Sequence, residues 1–374
     1  HLTLVPFITA AGELKTKPTQ HSVRELMQIG IQPHVLICRS EHPLSDEIRR
    51  KIALFTNVEI DGVIEARDVE TIYEVPLSLK KQRLDDVIAE RLGLDLPQPD
   101  MTSWTAMVNR VKHPSAGTPK IAVVGKYTDH IDSYKSIQES LIHGGIANDV
   151  KADIHWLSSE VFDNGEGVEK LKEYDGLLIP GGFGPRGVEG MLETIRWARE
   201  NQMPFFGICL GLQCAVIEFA RNVCGLEGSH SSEFAEASPD PVICLLDSQL
   251  QVTTMGGTMR LGAYPCALGE GTKAREIYGV DEISERHRHR FEVNNEYRDL
   301  LTDNGMTISG TSPDGGLVEM IELTEHPWFV AGQFHPELKS RPTRPHPLFA
   351  SFVGAAAAYA RNQPAKPAAE PASV

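Results

Sequence analysis

Apolar runs of strand length recur along the chain, and most are separated by stretches in which apolar residues return every three or four positions. In the first hundred residues, 1–8, 34–39 and 62–66 read as strands. Residues 23–30 read as a helix with Ser22 as N-cap and Gly30 as stop. A second helix starts at Ser45 or Asp46, and 77–92 reads as one amphipathic helix. Residues 93–119 interrupt the pattern with Pro97, Pro99, Pro114 and Pro119 among Gly, Asp and Ser, around a short helix at 103–111. A new series opens with strands at 120–125, 151–156 and 174–179, and with helices ending near His143 and spanning 188–201. The strand 204–208 and the helix 212–219 follow, then a polar, loop-like stretch at 229–236. Beyond Pro241 the runs shorten, at 242–246, 250–253, 258–262, 307–310 and 317–321, with turns at Gly256-Gly257 and Asn304-Gly305. Residues 328–337 read as a strand through to Glu337, and 346–360 as a closing helix.

Strands alternating with helices predict a layered α/β fold. The breaks divide it into a segment at 1–96, a linker at 97–119, a second domain at 120–360 and a Pro- and Ala-rich tail at 361–374 expected to be disordered. The length, 374 residues, suits two domains. A net charge of -15 argues against nucleic acid or an anionic membrane as partner. The six cysteines lack metal-type spacing, and no apolar run reaches membrane-spanning length, so a reducing, cytoplasmic setting is expected. The chain enters a strand-like run at once from His1, which predicts that an upstream part of a larger protein is absent.

The chemistry centres on Gly207-Ile208-Cys209-Leu210-Gly211, a Gly-x-nucleophile-x-Gly turn between a strand and a helix. A helix N-terminus favours a thiolate and offers N–H groups to an oxyanion. Far downstream, His335 and Glu337 stand two residues apart, which in extended chain puts both on one face as base and orienting carboxylate. Pro180-Gly181-Gly182-Phe183-Gly184 can expose backbone N–H groups as half of an oxyanion hole, with the Leu210 N–H as the other half. Glu233 can grip an ammonium group. The alternating Arg286-His287-Arg288-His289-Arg290 has no partners placed for zinc; its arginines suit a carboxylate substrate and acidic neighbours. Near the start, Lys15, Thr16, Lys17, Pro18, Thr19 and Gln20 form a polar loop whose lysines suit polyphosphate, while Arg39 and Asp68 lie at strand ends. No Gly-rich Lys-Ser/Thr phosphate loop occurs.

The elbow, together with Phe334-His335-Pro336-Glu337, resembles the class I (triad) glutamine amidotransferases. Residues 12–22, 30–33, 180–190, 256–262 and 286–293 make the chain similar, from residue 1 to about 355, to the CTP synthase family. The resemblance implies an open, mostly parallel sheet with helices on both faces, preceded by the end of an α/β, P-loop-type synthetase domain. It implies glutamine hydrolysis at Cys209, His335 and Glu337, with Gly182, Leu210, Gly211, Leu212, Gln213, Glu233 and Arg290 around the glutamine. The ammonia then aminates UTP to CTP at the expense of ATP. The resemblance implies Lys15, Thr16, Lys17, Pro18, Thr19, Gln20 and Lys51 for UTP or CTP, and Arg39 and Asp68 near ATP. GTP is implied as activator, CTP as feedback inhibitor, and a homotetramer as the assembly. The family's P-loop and acidic Mg²⁺ ligands are not in this sequence. The N-terminal part of the synthetase domain is therefore expected to be absent, no metal ligand is expected here, and this chain alone is expected to be competent only as a glutaminase. The alternatives are another triad amidotransferase or γ-glutamyl hydrolase, and an inert regulatory homologue.

Overall fold

Val5, Val23, Leu36, Cys38, Ile52 and Val63 come together as one small core, and they carry the first of two compact units, His1–His113. The second runs from Pro114 onward. The computed structural model describes residues 1–128, 131–235, 237–245 and 259–363. The expected turn at Gly256-Gly257 and strand at 250–253 lie outside these, as do 364–374 of the expected tail.

In the first unit, β1 (Leu2–Leu4), β4 (Leu36–Ser40) and β5 (Val63–Arg67) form a parallel sheet in the order β1-β4-β5. A hairpin of β2 (Phe7–Ile8) and β3 (Glu13–Leu14) follows β1. Helix α1 spans Lys17–Gln28, not 23–30: Pro18 sits in its first turn, where a missing N–H costs nothing, and Ser22 lies inside it. The polar stretch read as a loop is therefore largely helical. Helix α2 (Asp46–Thr56) starts where expected, with the Ser45 side chain accepting from the Ile48 N–H. The helix read at 77–92 is two, α3 (Val75–Lys81) and α4 (Leu84–Leu92). The break falls at Gln82 and Arg83, the latter at φ 61°. The Gln82 amide is used elsewhere: it accepts from the Glu65 N–H and donates to the Glu65 carbonyl on β5, both at 2.8 Å. Helix α5 (Thr102–Lys112) closes the unit.

The second unit is built on nine of the strands β6 (Lys120–Gly125), β7 (Asp153–Ser158), β8 (Gly176–Ile179), β9 (Phe205–Ile208), β10 (Ser229–Ser231), β11 (Asp240–Cys244), β12 (Arg260–Leu268), β13 (Glu282–His289), β14 (Glu292–Val293), β15 (Met306–Thr311), β16 (Val318–Leu323) and β17 (Phe329–Gly332). The sheet order is β13-β12-β15-β16-β17-β9-β8-β6-β7. The half from β17 to β7 is parallel, and the half from β13 to β17 is antiparallel. This corrects the mostly parallel expectation to a mixed sheet: the connections from β15 to β16 and from β16 to β17 are too short for the helical crossover that parallel neighbours need, so those strands return antiparallel. Alternation along the strands fills both faces. Phe205, Leu177, Ile179 and Ala331 face α7 (Val188–Glu200) and α8 (Leu210–Asn222). Phe206, Leu178 and Val330 face α6 (Lys135–Asn148) and the helix Pro347–Asn362. The stretch read as a loop at 229–236 contains β10, paired with β11. The strand read at 328–337 ends at Gly332, and Pro336–Leu338 is a 3-10 turn.

Candidate active site

Cys209 is the residue between β9 and α8, at φ 54° and ψ -101°. A non-glycine residue at positive φ is strained, and such strain collects at functional sites. The turn is possible because its flanks carry no Cβ. One on Gly211 would stand 2.3 Å from the Ile179 carbonyl, and one on Gly207 2.8 Å from Ala331 and from the Gly211 backbone. The Cys209 N–H is tied to the Gly332 carbonyl at 2.8 Å, which locks the elbow to the end of β17.

That same strand end delivers the histidine. The His335 N–H donates to the Arg286 carbonyl at 2.7 Å, and Nδ1 lies 2.7 Å from Glu337 Oε1. The contact comes from the 3-10 turn at Pro336, not from the strand alternation expected. The other ring nitrogen, Nε2, is buried and makes no hydrogen bond to a described nitrogen or oxygen. Burial would push the imidazole down, but the Cys209 sulfur and the Glu337 carboxylate beside it outweigh burial and raise it. A protonated imidazole between a thiolate and a carboxylate is the resting form of an activated cysteine.

The glycine loop runs over this pair. A Cβ on Gly181 would stand 2.9 Å from His335 Cε1 and 3.6 Å from Cys209 Cβ, and one on Gly182 3.1 Å from Leu210 Cδ2. Two cavities meet at Cys209. One, of about 190 Å³, is lined by Gly182, Gln213, Glu233, Met259, Arg290 and Phe291 among others. The second, of about 300 Å³, opens towards Tyr127, Tyr134, Phe183, Arg288 and Glu337. The structure thus brings Cys209, Gly182, Gln213, Glu233 and Arg290 to one cavity. Leu210, Gly211 and Leu212 are buried in the first turn of α8 and are not among the lining residues of either cavity. Gln213 Nε2 donates to the Phe291 carbonyl at 3.0 Å, and Glu233 Oε1 accepts from the Gly184 N–H at 3.0 Å. Arg288, one of the arginines expected to meet a carboxylate, lines both cavities; Lys126 and Phe291 carried no site expectation, and the polar position at the end of β6 is the signal that points to Lys126.

Along β13 the arginines 286 and 288 face out and the histidines 287 and 289 face in. His287 Nε2 meets Glu319 and His289 Nε2 meets Glu292, both at 2.7 Å, while Arg260 bridges the two glutamates at 2.7 and 3.1 Å. The histidines are thus spoken for by carboxylates. Among the described residues no group of three or more His, Cys, Asp or Glu could hold a metal ion.

In the first unit, Lys15 pairs with Glu13, whose carboxyl is held below its usual range by Lys15 first and by Lys51 further off. Thr16 stands at the N-cap position of α1 without a capping hydrogen bond, and its hydroxyl accepts from Gln20 Nε2 at 3.0 Å. Lys17 and Pro18 open that helix. Thr19 is buried, donating to the Leu4 carbonyl at 3.0 Å. Arg39 pairs with Asp68 at 2.6 Å, and no described hydrogen bond or ion pair joins these two to the lysines.

Residues 129–355 match the model of the class-I glutamine amidotransferases, and residues 1–94 match that of the CTP synthase N-terminus. CTP synthases of Clostridium perfringens and Methanocaldococcus jannaschii are 57% and 55% identical over 95% of this chain. The chain belongs to the CTP synthase family. It spans 66% of the length of the C. perfringens protein and 67% of that from M. jannaschii. The glutaminase domain of Trypanosoma brucei CTPS, solved with bound acivicin, superimposes with a TM-score of 0.61 at 38% identity, covering 64% of this chain and 94% of that one. The match at 1–94 overturns the expectation that the N-terminal part of the synthetase domain is absent: synthetase sequence of that family opens the chain. No helix among the described residues is long and apolar enough to cross a membrane.

Proposed function

We propose that this chain hydrolyses glutamine and passes the ammonia to the amination of UTP to CTP at the expense of ATP. The observation that carries the reading is the strained Cys209 elbow with the His335–Glu337 pair at its side. In this reading the Cys209 thiolate attacks the glutamine γ-carbonyl, and the new C–S bond puts the electron pair on oxygen. The Leu210 N–H and the 181–183 loop stabilise that oxyanion. His335 gives its proton to the departing nitrogen, ammonia leaves, and a γ-glutamyl thioester remains. His335 then takes a proton from water, whose oxygen displaces the thiolate and releases glutamate. Glu233 faces the substrate ammonium and Arg290 its carboxylate.

Lys15, Thr16, Lys17, Pro18, Thr19, Gln20 and Lys51 serve the UTP or CTP site, supported by the Lys15–Glu13 ion pair, whose carboxylate also feels Lys51 from further off. Arg39 and Asp68 serve ATP. GTP activates, CTP inhibits, and the working form is a cytoplasmic homotetramer. The test is nucleotide titration of the chain alongside Lys15→Ala/Lys51→Ala. UTP protection of wild type against thermal unfolding, lost in the double variant, is expected; equal protection of both would contradict the assignment.

A further inference from the structure

Lys126, at the end of β6, is 5% exposed. Its Nζ donates to the Phe183 carbonyl at 3.2 Å and to the Gly184 carbonyl, and lies 5.4 Å from the centre of the Phe234 ring. Arg186 Nη2 donates back to the Lys126 carbonyl at 2.8 Å. No carboxylate stands within 4 Å of this ammonium among the described residues. Burial accordingly pushes it down from the usual lysine range. A buried ammonium met by two carbonyls and a ring face, with the Glu233 charge further off, is an expensive way to fill space, and a methionine of similar size would do so without the desolvation cost.

What the ammonium does hold is one peptide group. The C=O of the 183–184 peptide faces Lys126, and its N–H faces Glu233 Oε1 at 3.0 Å. A planar peptide gripped at both ends cannot rotate. The Gly184 carbonyl is drawn to the same side, and Gly184 sits at φ +78°, a conformation only glycine takes freely. Neither the Gly182 nor the Phe183 N–H donates to another described residue.

We propose that Lys126 is a positioning residue for glutamine hydrolysis: by collecting the Phe183 and Gly184 carbonyls it turns the preceding N–H groups of the loop towards the oxyanion formed over Cys209. The claim rests on the glutaminase reading above. It predicts that Lys126→Met loses turnover without losing the thiol or the fold. Glutamine hydrolysis should fall in kcat by roughly 100-fold, the order found for losing one oxyanion donor, with KM within about threefold of wild type. Alkylation of Cys209 by iodoacetamide, which needs no oxyanion hole, should stay within about twofold, and the melting temperature should not fall. Lys126→Arg should recover at least about tenfold of the lost kcat. Hydrolysis by Lys126→Met within threefold of wild type overturns the proposal. So does an unfolded Lys126→Met, or a loss of kcat matched by equal loss of alkylation, because either makes the lysine merely structural. Wild-type protein that forms no glutamate overturns both readings together, so the two failures are distinguishable.

Discussion

At the scale of single residues, the site depends on where one proton sits. His335 meets Glu337 at 2.7 Å through Nδ1, leaving Nε2 for the sulfur. The carboxylate fixes the ring orientation and favours the charged imidazole. Glu337→Gln keeps the shape and removes that charge. It is expected to lower glutaminase kcat by about 10²–10⁴, with glutamine KM changed little. Steady-state glutamate formation checks this; a variant within tenfold of wild type would remove Glu337 from the mechanism. That Cys209, His335 and Glu337 come together was legible in sequence because elbow glycines and a His-x-Glu spacing are chemically specific. The route by which Glu337 arrives was not. The strand has already ended at Gly332, and the 3-10 turn that opens at Pro336 brings Glu337 back to His335; a period-two rule has no knowledge of that turn.

At the scale of elements, the elbow is a contact between backbones. Helix α8 begins against the end of β8, and Gly211 is where they touch, its missing Cβ 2.3 Å from the Ile179 carbonyl. Gly211→Ala must push helix and strand apart. A loss of about 1–3 kcal/mol of stability is expected, together with lower activity as Cys209 shifts. Urea unfolding checks it; unchanged stability would mean the helix can slide freely. Most elements of both units could be read from apolar periodicity, since strands buried on both faces leave continuous apolar runs. The failures have local causes. Pro18 lets α1 start more than a turn before Ser22, and the Gln82 side chain, by binding Glu65 on β5, splits the helix read at 77–92. Strand direction beyond β17 is a property of connections and pairing, which a one-dimensional pattern does not carry.

At the scale of the whole molecule, the second unit has buried histidines that resist protonation. Burial pushes His143 and His326 down to about 4. His326 is fixed as the neutral ring by its contacts, with Nδ1 accepting from the Trp328 N–H at 3.2 Å and Nε2 3.3 Å from the Ala198 carbonyl. Unfolded histidine takes its proton near pH 6.5, whereas these sites refuse it until about pH 4. Their stabilisation is therefore complete above pH 6.5 and is lost as the pH falls towards 4. At pH 5 the loss is about 2 kcal/mol for each. Denaturant unfolding at pH 7 and pH 5 should show it, and His326→Gln should flatten part of the slope; equal stability at the two pH values would refute it.

The central claim is that Cys209 is a nucleophile for the γ-carboxamide of glutamine. The most direct measurement is glutamate release from glutamine by the chain, beside Cys209→Ala, with the thioester sought by mass spectrometry after acid quench. Wild type should release glutamate, the variant none above background, and the peptide that contains Cys209 should carry a γ-glutamyl adduct. Equal glutamate from both proteins, or folded wild type that forms neither glutamate nor adduct, would contradict the central claim.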